Sequence, residues 1–288
     1  MNARLQQHHL GGHPALRQPG LCPERGLCTG AIPHRPLECP SRGDAEPGPV
    51  ASRRDAVPVQ TAIADGVGML TLDRPSRAHA YDEAHLLALR DGFRGLSESV
   101  SVVVIQSTGD RAFCGGADLK AMKQATPLDA LDLLSQHVFS EIADSPIVSI
   151  AAVQGAAIAG GCELALACDL RIVGPNARFA LPETALGLIP AAGGCTRLAR
   201  LVGQSIARQV ILAGTAISAM QAVAWGLATG DVTSDPHAAA LRVARSVAQR
   251  DPVALRLAKN ILGQDGRVES LQAERIAEAV LYGRKNRS

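Results

Sequence analysis

The sequence predicts an α/β protein from about residue 56 onward, and three observations carry that expectation. Short aliphatic runs, Val102–Ser107 and residues 147–153, have the length and β-branched content of buried strands. Stretches of helical spacing alternate with them, as in residues 82–96, where Leu86, Leu89, Phe93 and Leu96 fall on one face. Glycine-rich turns at 115–116 and 155–161 stand between a strand and the helix expected after it.

Residues 1–55 differ from everything that follows. Eight of the 17 prolines and four of the 8 histidines lie there, with many Gly and Arg and few aliphatics. Such a segment buries too little apolar surface to offset its ordering entropy, so a disordered extension is expected. Its acidic residues and prolines fit an amphipathic presequence poorly. Residues 57–64 and 68–72 then read as a hairpin around Asp65-Gly66. A helix follows with Asp82 placed to cap it, then the strand Val102–Ser107, then the turn at 113–120 and a helix through Met122. Residues 147–153 form the next buried strand and 162–168 an Ala/Leu-rich helix. Leu170–Val173 and residues 178–181 are short strands. From Ser205 the chain reads as mostly helical, with Pro252 opening a helix after Asp251.

Composition excludes several classes of function. With 288 residues, 47% of them hydrophobic, the chain can bury one large core or a core plus an oligomerisation lobe. A net charge of +2 gives no electrostatic case for nucleic acid or an anionic membrane, and 2% aromatic content gives no base-stacking platform. The best apolar run, 147–168, is interrupted by Gln154, glycines and Glu163, so no membrane span is expected. The seven cysteines, an odd number, point to free thiols in a reducing compartment, the cytoplasm. Cys22, Cys28, His34 and Cys39 lack the tight pairs of a structural zinc site, and no metal is expected.

Glu163 and Glu183, each beside a glycine-rich turn, are the candidate acid–base pair, since two carboxylates facing one substrate can divide proton transfer between them. Glu163 lies in the first turn of an apolar helix, where burial raises a carboxyl pKa toward a useful range. Glu183 follows Pro182, a common helix start. The turns Gly115-Gly116-Ala117-Asp118 and Gly155–Gly161 match neither a phosphate loop nor a dinucleotide fingerprint. Two such loops after two strands are instead suited to aim backbone N–H groups at one oxygen, an oxyanion hole. His79, His85, His137 and His237 have no nucleophile elbow or evident cysteine partner, so nucleophilic catalysis has little support.

In order and spacing, Leu72-Asp-Arg-Pro75, Ala112-Phe-Cys-Gly-Gly-Ala-Asp-Leu-Lys120, Gln154-Gly-Ala-Ala-Ile-Ala-Gly-Gly-Cys-Glu163 and Leu181-Pro-Glu-Thr-Ala-Leu-Gly-Leu-Ile-Pro190 resemble the enoyl-CoA hydratase/isomerase (crotonase) superfamily. Residues 251–259 resemble its C-terminal helical region. The resemblance spans about residues 57–285. It implies a crotonase-like spiral of ββα units over 56–204 and a helical trimerisation region over 205–288, assembled as a homotrimer or dimer of trimers. It also implies an acyl-CoA thioester substrate, no metal or organic cofactor, and a place in fatty acid and lipid metabolism.

By the same resemblance the N–H groups of Ala117 and Gly160 form the oxyanion hole. Ala117, Asp118, Leu119 and Lys120, with the backbone at Ala78 and Ala80, hold the coenzyme, and Lys120 meets a phosphate. Glu163 and Glu183 match the two carboxylates of the hydratase branch, Glu163 as base for attack at the β-carbon and Glu183 as proton donor to the α-carbon. There are three departures from the family pattern. His79-Ala80-Tyr81 stands where Asn-Ala-Leu is usual, and Ala191 replaces a glycine beside the expected water site. Cys114 and Cys162 flank the oxyanion loops, where thiols serve more often as packing groups than as nucleophiles. The expected activity is enoyl-CoA hydration to a 3-hydroxyacyl-CoA. The alternatives are double-bond isomerisation or a biosynthetic dehydration on the same scaffold, and a crotonase-fold protein that binds RNA or a partner.

Overall fold

The computed structural model describes residues 59–118, 132–263 and, near the C-terminus, 275, 276, 278 and 280. The chain divides into Met1–Ser52 and Arg53–Ser288, and all described residues belong to the second unit.

The first hairpin, β1 (Val59–Ala64) and β2 (Val67–Leu72), closes on Asp65 and Gly66. Both turn residues have positive φ (53° and 73°), the backbone of a two-residue turn whose twist matches its strands. Helix α1 (Glu83–Ser97) starts where expected, with the Asp82 carboxylate accepting from His85 N at 3.1 Å. Its buried stripe is Leu86, Leu89, Phe93 and Leu96, the four positions the spacing predicts. Each such side chain contributes roughly 1.5–3 kcal/mol by leaving water.

Two sheets follow from how the chain alternates between them. Strands β3 (Val102–Ser107), β5 (Val148–Val153) and β7 (Leu170–Val173) join the hairpin in a five-stranded sheet of order β1-β2-β3-β5-β7, parallel from β2 onward. After each long strand the chain crosses to a second sheet for a short one, namely β4 (Ala112–Cys114), β6 (Ala156–Ile158) and β8 (Arg178–Ala180). These three also run parallel, and β9 (Ile217–Ser218) closes that sheet antiparallel to β8. The repeated crossing gives the spiral that the resemblance implies. Alternation along the first sheet divides the core. Val103, Ile105, Ala151 and Val153 join the large cluster with α1, while Val102, Val104, Ile150 and Ala152 pack with Ala240 and Ala244 of a helix introduced below.

Two helices connect the sheets, α2 (Leu134–Asp144), which buries Val138, Phe139 and Ile142, and α3 (Gly160–Ala167), buried at every residue. The helix expected through Met122 lies outside the described residues. In the C-terminal part, α4 (Gly194–Leu212) begins earlier than Ser205. Gly203, with φ 79° and ψ 161°, breaks it in two, and the sequence reading recovered the second half. Then come α5 (Ala219–Ala224), α6 (Pro236–Ala248) and α7 (Pro252–Leu262), the last capped by Asp251, whose carboxylate accepts from Val253 N and Ala254 N. Among the described residues no helix is long and apolar enough to cross a membrane.

Candidate active site

The candidate residues converge because of the second sheet. Strands β4, β6 and β8 are parallel neighbours, so their carboxyl ends open on one edge. Gly115-Gly116-Ala117 leaves the end of β4, Ala159-Gly160 the end of β6, and Leu181-Pro182-Glu183 the end of β8. That edge is where parallel sheets commonly place ligands. Close approach makes it work. A Cβ on Gly161 would lie 1.9 Å from the Cys114 carbonyl oxygen, so only glycine lets α3 start against the end of β4.

The two N–H groups expected to form an oxyanion hole are placed by opposite devices. Tyr81 N donates to Gly116 O at 2.9 Å and Asp118 N donates to Tyr81 O at 2.7 Å, a short parallel bridge. Ala117 sits between these two bonds, so its own N–H turns to the other side of the strand. Gly160 is the first residue of α3, where an N–H has no acceptor within the helix. Just before it, Ala159 is held at φ 50° and ψ −127°, a backbone that non-glycine residues rarely adopt and that costs of order 1–3 kcal/mol. Ala159 N donates to Ala180 O at 2.8 Å, which anchors the strained turn to β8. The loops touch: a Cβ on Gly116 would lie 3.1 Å from Gly160 N.

Glu163 points inward from the first turn of α3 and is 4% exposed. One oxygen accepts from Gly194 N at 2.9 Å. Burial raises its pKa to about 7; hydrogen bonds from Gly194 and Ala192 oppose the rise, and the Glu183 charge adds to it. Glu183 opens a single 3-10 turn, Glu183–Leu186, rather than the α-helix its Pro-Glu signature suggested, and left-handed Gly187 ends the turn. It is 8% exposed, burial raises its pKa, and its Oε2 has no hydrogen-bond partner among the described residues. One buried carboxylate oxygen thus remains for a ligand. The two carboxyls sit close enough for the charge of one to perturb the other.

The remaining predicted positions are distributed as follows. The Ala78 carbonyl accepts from Gly115 N at 2.8 Å, and Ala80 O accepts from Arg74 Nη1 at 2.8 Å. Each carbonyl retains a second lone pair. The Asp118 carboxylate lies 3.4 Å from the Arg74 guanidinium, so it steadies the same loop. The Ala191 carbonyl accepts from Gln136 Nε2 of α2 at 2.8 Å. Leu119 and Lys120 lie outside the described residues. Cys114 and Cys162 are buried, and burial raises both thiols, to about 12 for Cys114, so neither is primed as a thiolate. His79 is a structural latch. Its Nδ1 accepts from Arg74 N at 3.0 Å, and its Nε2 lies 2.9 Å from Thr108 O.

Sequence reasoning missed three contributors. Gly194 N supports Glu163. Arg197 donates to Ala192 O at 2.8 Å and to Ser140 Oγ at 3.1 Å, bracing the loop that carries Gly194. The phenol of Tyr81 lies against Gly160. The glycine pair at 193–194 was a visible signal for the first, and the departure at Tyr81 for the third. Nothing in the sequence marked Arg197.

Residues 62–287 match the family described as enoyl-CoA hydratase/isomerase. The chain belongs to this family. It is 39% identical over 204 residues to "Probable enoyl-CoA hydratase 2, mitochondrial" of Arabidopsis thaliana, a match covering 69% of this chain and 68% of the relative. It is 38% identical over 216 residues to the 2,3-dehydroadipyl-CoA hydratase of Escherichia coli, covering 74% and 84%. Among solved structures, the enoyl-CoA hydratase of Bacillus anthracis superposes with a TM-score of 0.74 at 32% identity, covering 77% of this chain and 90% of that one. The crotonase fold and the hydratase-like character expected from the motifs therefore hold for this member of the enoyl-CoA hydratase/isomerase family.

Proposed function

We propose that this chain is an enoyl-CoA hydratase that adds water reversibly to a trans-2-enoyl-CoA, giving a 3-hydroxyacyl-CoA. The observation that carries the reading is the pair Glu163 and Glu183, both buried, at the ends of adjacent strands whose neighbouring loop carries the second oxyanion donor. The thioester carbonyl accepts from Ala117 N and Gly160 N. Negative charge developing on that oxygen is stabilised by donors that need no reorganisation; one such donor is typically worth ~10²–10³ in rate.

With the carbonyl polarised, the β-carbon becomes electrophilic. Glu163, ionised, takes a proton from a water held between the carboxyls as the water oxygen bonds to the β-carbon. The electron pair of the double bond moves into the enolate, and Glu183, protonated, delivers its proton to the α-carbon. The sum is addition of H and OH across the double bond, after which the carboxyls exchange protons with solvent. Burial raises the proton affinity of both carboxyls, to about 7 for Glu163, so each can exchange a proton with the substrate or its water; the division of roles between them follows the family resemblance. No metal or organic cofactor enters these steps. The loop 74–82, Ala117–Asp118 and Lys120 bind the coenzyme in this reading, and Ala191 borders the water.

The assembly we favour is a homotrimer or a dimer of trimers. Leu186 and Ile189, at 63% and 67% exposure, and Leu212 and Met220, at 72% and 70%, are large apolar side chains that a partner subunit would cover. Buried unpaired thiols at Cys114, Cys162 and Cys168 suit a reducing compartment, the cytoplasm.

The test is the loss of conjugated enoyl thioester absorbance with crotonyl-CoA and a longer enoyl-CoA. Wild-type protein should bleach the signal, and Glu163→Gln should lower kcat by about 10²–10⁴-fold. Full activity in Glu163→Ala with activity lost in Glu183→Gln would replace hydration by an isomerase using one carboxylate.

A further inference from the structure

Tyr81 stands where the motif comparison expects leucine, and its side chain reaches a place a leucine would not. A Cβ added to Gly160 would lie 1.8 Å from the Tyr81 hydroxyl oxygen, 2.8 Å from Cζ and 3.1 Å from Cε1. The phenol oxygen thus occupies the space where a side chain at 160 would be. The main chain of Tyr81 simultaneously forms the bridge to Gly116 and Asp118 that frames Ala117. The ring is fixed edge-on against Phe139 of α2, with centroids 5.8 Å apart and planes at 87°, and the Ser135 hydroxyl of the same helix is its hydrogen-bonding neighbour.

We propose that Tyr81 is a positioning residue that holds the two oxyanion loops at one spacing, its backbone setting the Ala117 loop and its phenol setting Gly160. The loops need such a brace. The peptide preceding Gly160 runs through the strained Ala159, which relaxes unless its surroundings hold it. A hydrogen bond to a developing oxyanion weakens steeply with misalignment, and a displacement of about half an ångström degrades a preorganised site. The phenol also fills the space that a side chain at position 160 would take. Gly160 does not have positive φ, so backbone conformation alone would admit alanine; the phenol excludes it.

The inference rests on the hydratase reading for its kinetic test, and a spectroscopic readout keeps the two separable. The full-length protein and its Tyr81→Phe, Tyr81→Leu, Gly160→Ala and Tyr81→Leu/Gly160→Ala variants are compared in crotonyl-CoA hydration. The carbonyl stretch of bound butyryl-CoA, which cannot be hydrated, is followed by isotope-edited infrared difference spectroscopy. Tyr81→Phe, which keeps the ring and removes the oxygen, should lower kcat by about 10-fold with KM within about 2-fold, the signature of an interaction expressed in the transition state. Its carbonyl stretch should move back toward the value in solution. Gly160→Ala should cost at least about 10-fold more in kcat/KM with Tyr81 present than in the Tyr81→Leu background, since coupling is measured by such a cycle.

Unchanged kcat and unchanged stretch in Tyr81→Phe, or an equal cost of Gly160→Ala in both backgrounds, would overturn the proposal. Should Tyr81→Phe fail to fold, the leucine pair decides by the same readouts. A wild-type protein that lowers the butyryl-CoA stretch but hydrates no enoyl-CoA would refute the reaction, leaving the Tyr81 proposal to be judged by the stretch.

Discussion

Substituting Glu163 by glutamine should make the protein more stable at alkaline pH while disabling it. The carboxyl is 4% exposed, and burial moves its pKa from 4.5 to about 7. At about 1.4 kcal/mol per pH unit, that gap corresponds to about 3 kcal/mol between the two protonation states. The sign follows from linkage. The folded-state value lies above the unfolded one, so between them the native state binds the extra proton and stability falls as pH rises. The contribution of neutral Glu163 is fully present below the unfolded value of 4.5 and is lost as pH passes through about 7. Glutamine does not titrate, and its amide oxygen can still accept from Gly194 N. Urea unfolding of both proteins across this range should therefore show their difference growing in favour of Glu163→Gln, by about 3 kcal/mol at about pH 8 relative to about pH 4.5. A difference that stays flat with pH, or grows in the opposite direction, would refute the reasoning that burial, rather than the Gly194 hydrogen bond, dominates this carboxyl.

Arg171, 4% exposed, donates to the carbonyls of Leu227, Cys168, Ala165 and Asp169, three of them at the C-terminal end of the helix that carries Glu163. Arg171→Met should leave these acceptors unsatisfied and cost about 3 kcal/mol or more in urea unfolding, with a loss below about 1 kcal/mol arguing against the role. His79 is held neutral with its pKa lowered from 6.5, chiefly by burial, so its share of stability is present above pH 6.5 and is lost as pH falls below it. Thermal midpoints from pH 7 down to about 5 should fall less for His79→Asn, since asparagine tolerates the left-handed backbone at φ 54° without titrating there. Parallel curves for the two proteins would remove His79 from that account.

Much of the first sheet was legible because its residues answer to local rules. Asp65-Gly66 declared a hairpin, Asp82 a cap, and Val102–Ser107 a strand buried on both faces. The second sheet was harder to see. Its strands β4 and β6 are three residues each, too short for a period to register, and their sequences sit inside the glycine loops. The bounds of α2 were not legible although Val138, Phe139 and Ile142 have helical spacing, because its N-cap is Leu133, whose side chain makes no capping bond. Glu183 was placed at a helix start by its Pro-Glu signature, but Gly187 ends the turn before an α-helix forms.

The candidate site was legible for a different reason. Its chemical groups are mostly backbone, and a backbone group is advertised in sequence only by what must be missing around it. A Cβ on Gly161 would meet the Cys114 carbonyl, and one on Gly160 would meet the Tyr81 phenol. Runs of small residues therefore marked the places where the carboxyl ends of β4 and β6 crowd against α3. What sequence conveyed least is the supporting layer: Tyr81 stood out only as a departure from the family pattern and Arg197 and Gln136 not at all, since all three act through reach across the fold rather than through local pattern. Arg197 spans from Ala192 to Ser140, and Gln136 spans from α2 to Ala191. All three tie α2 or the Gly194 loop to the reacting edge. Orientation at this edge is therefore set by residues remote in sequence from the groups they hold, and a substitution in α2 can alter turnover without touching a carboxylate or an oxyanion donor.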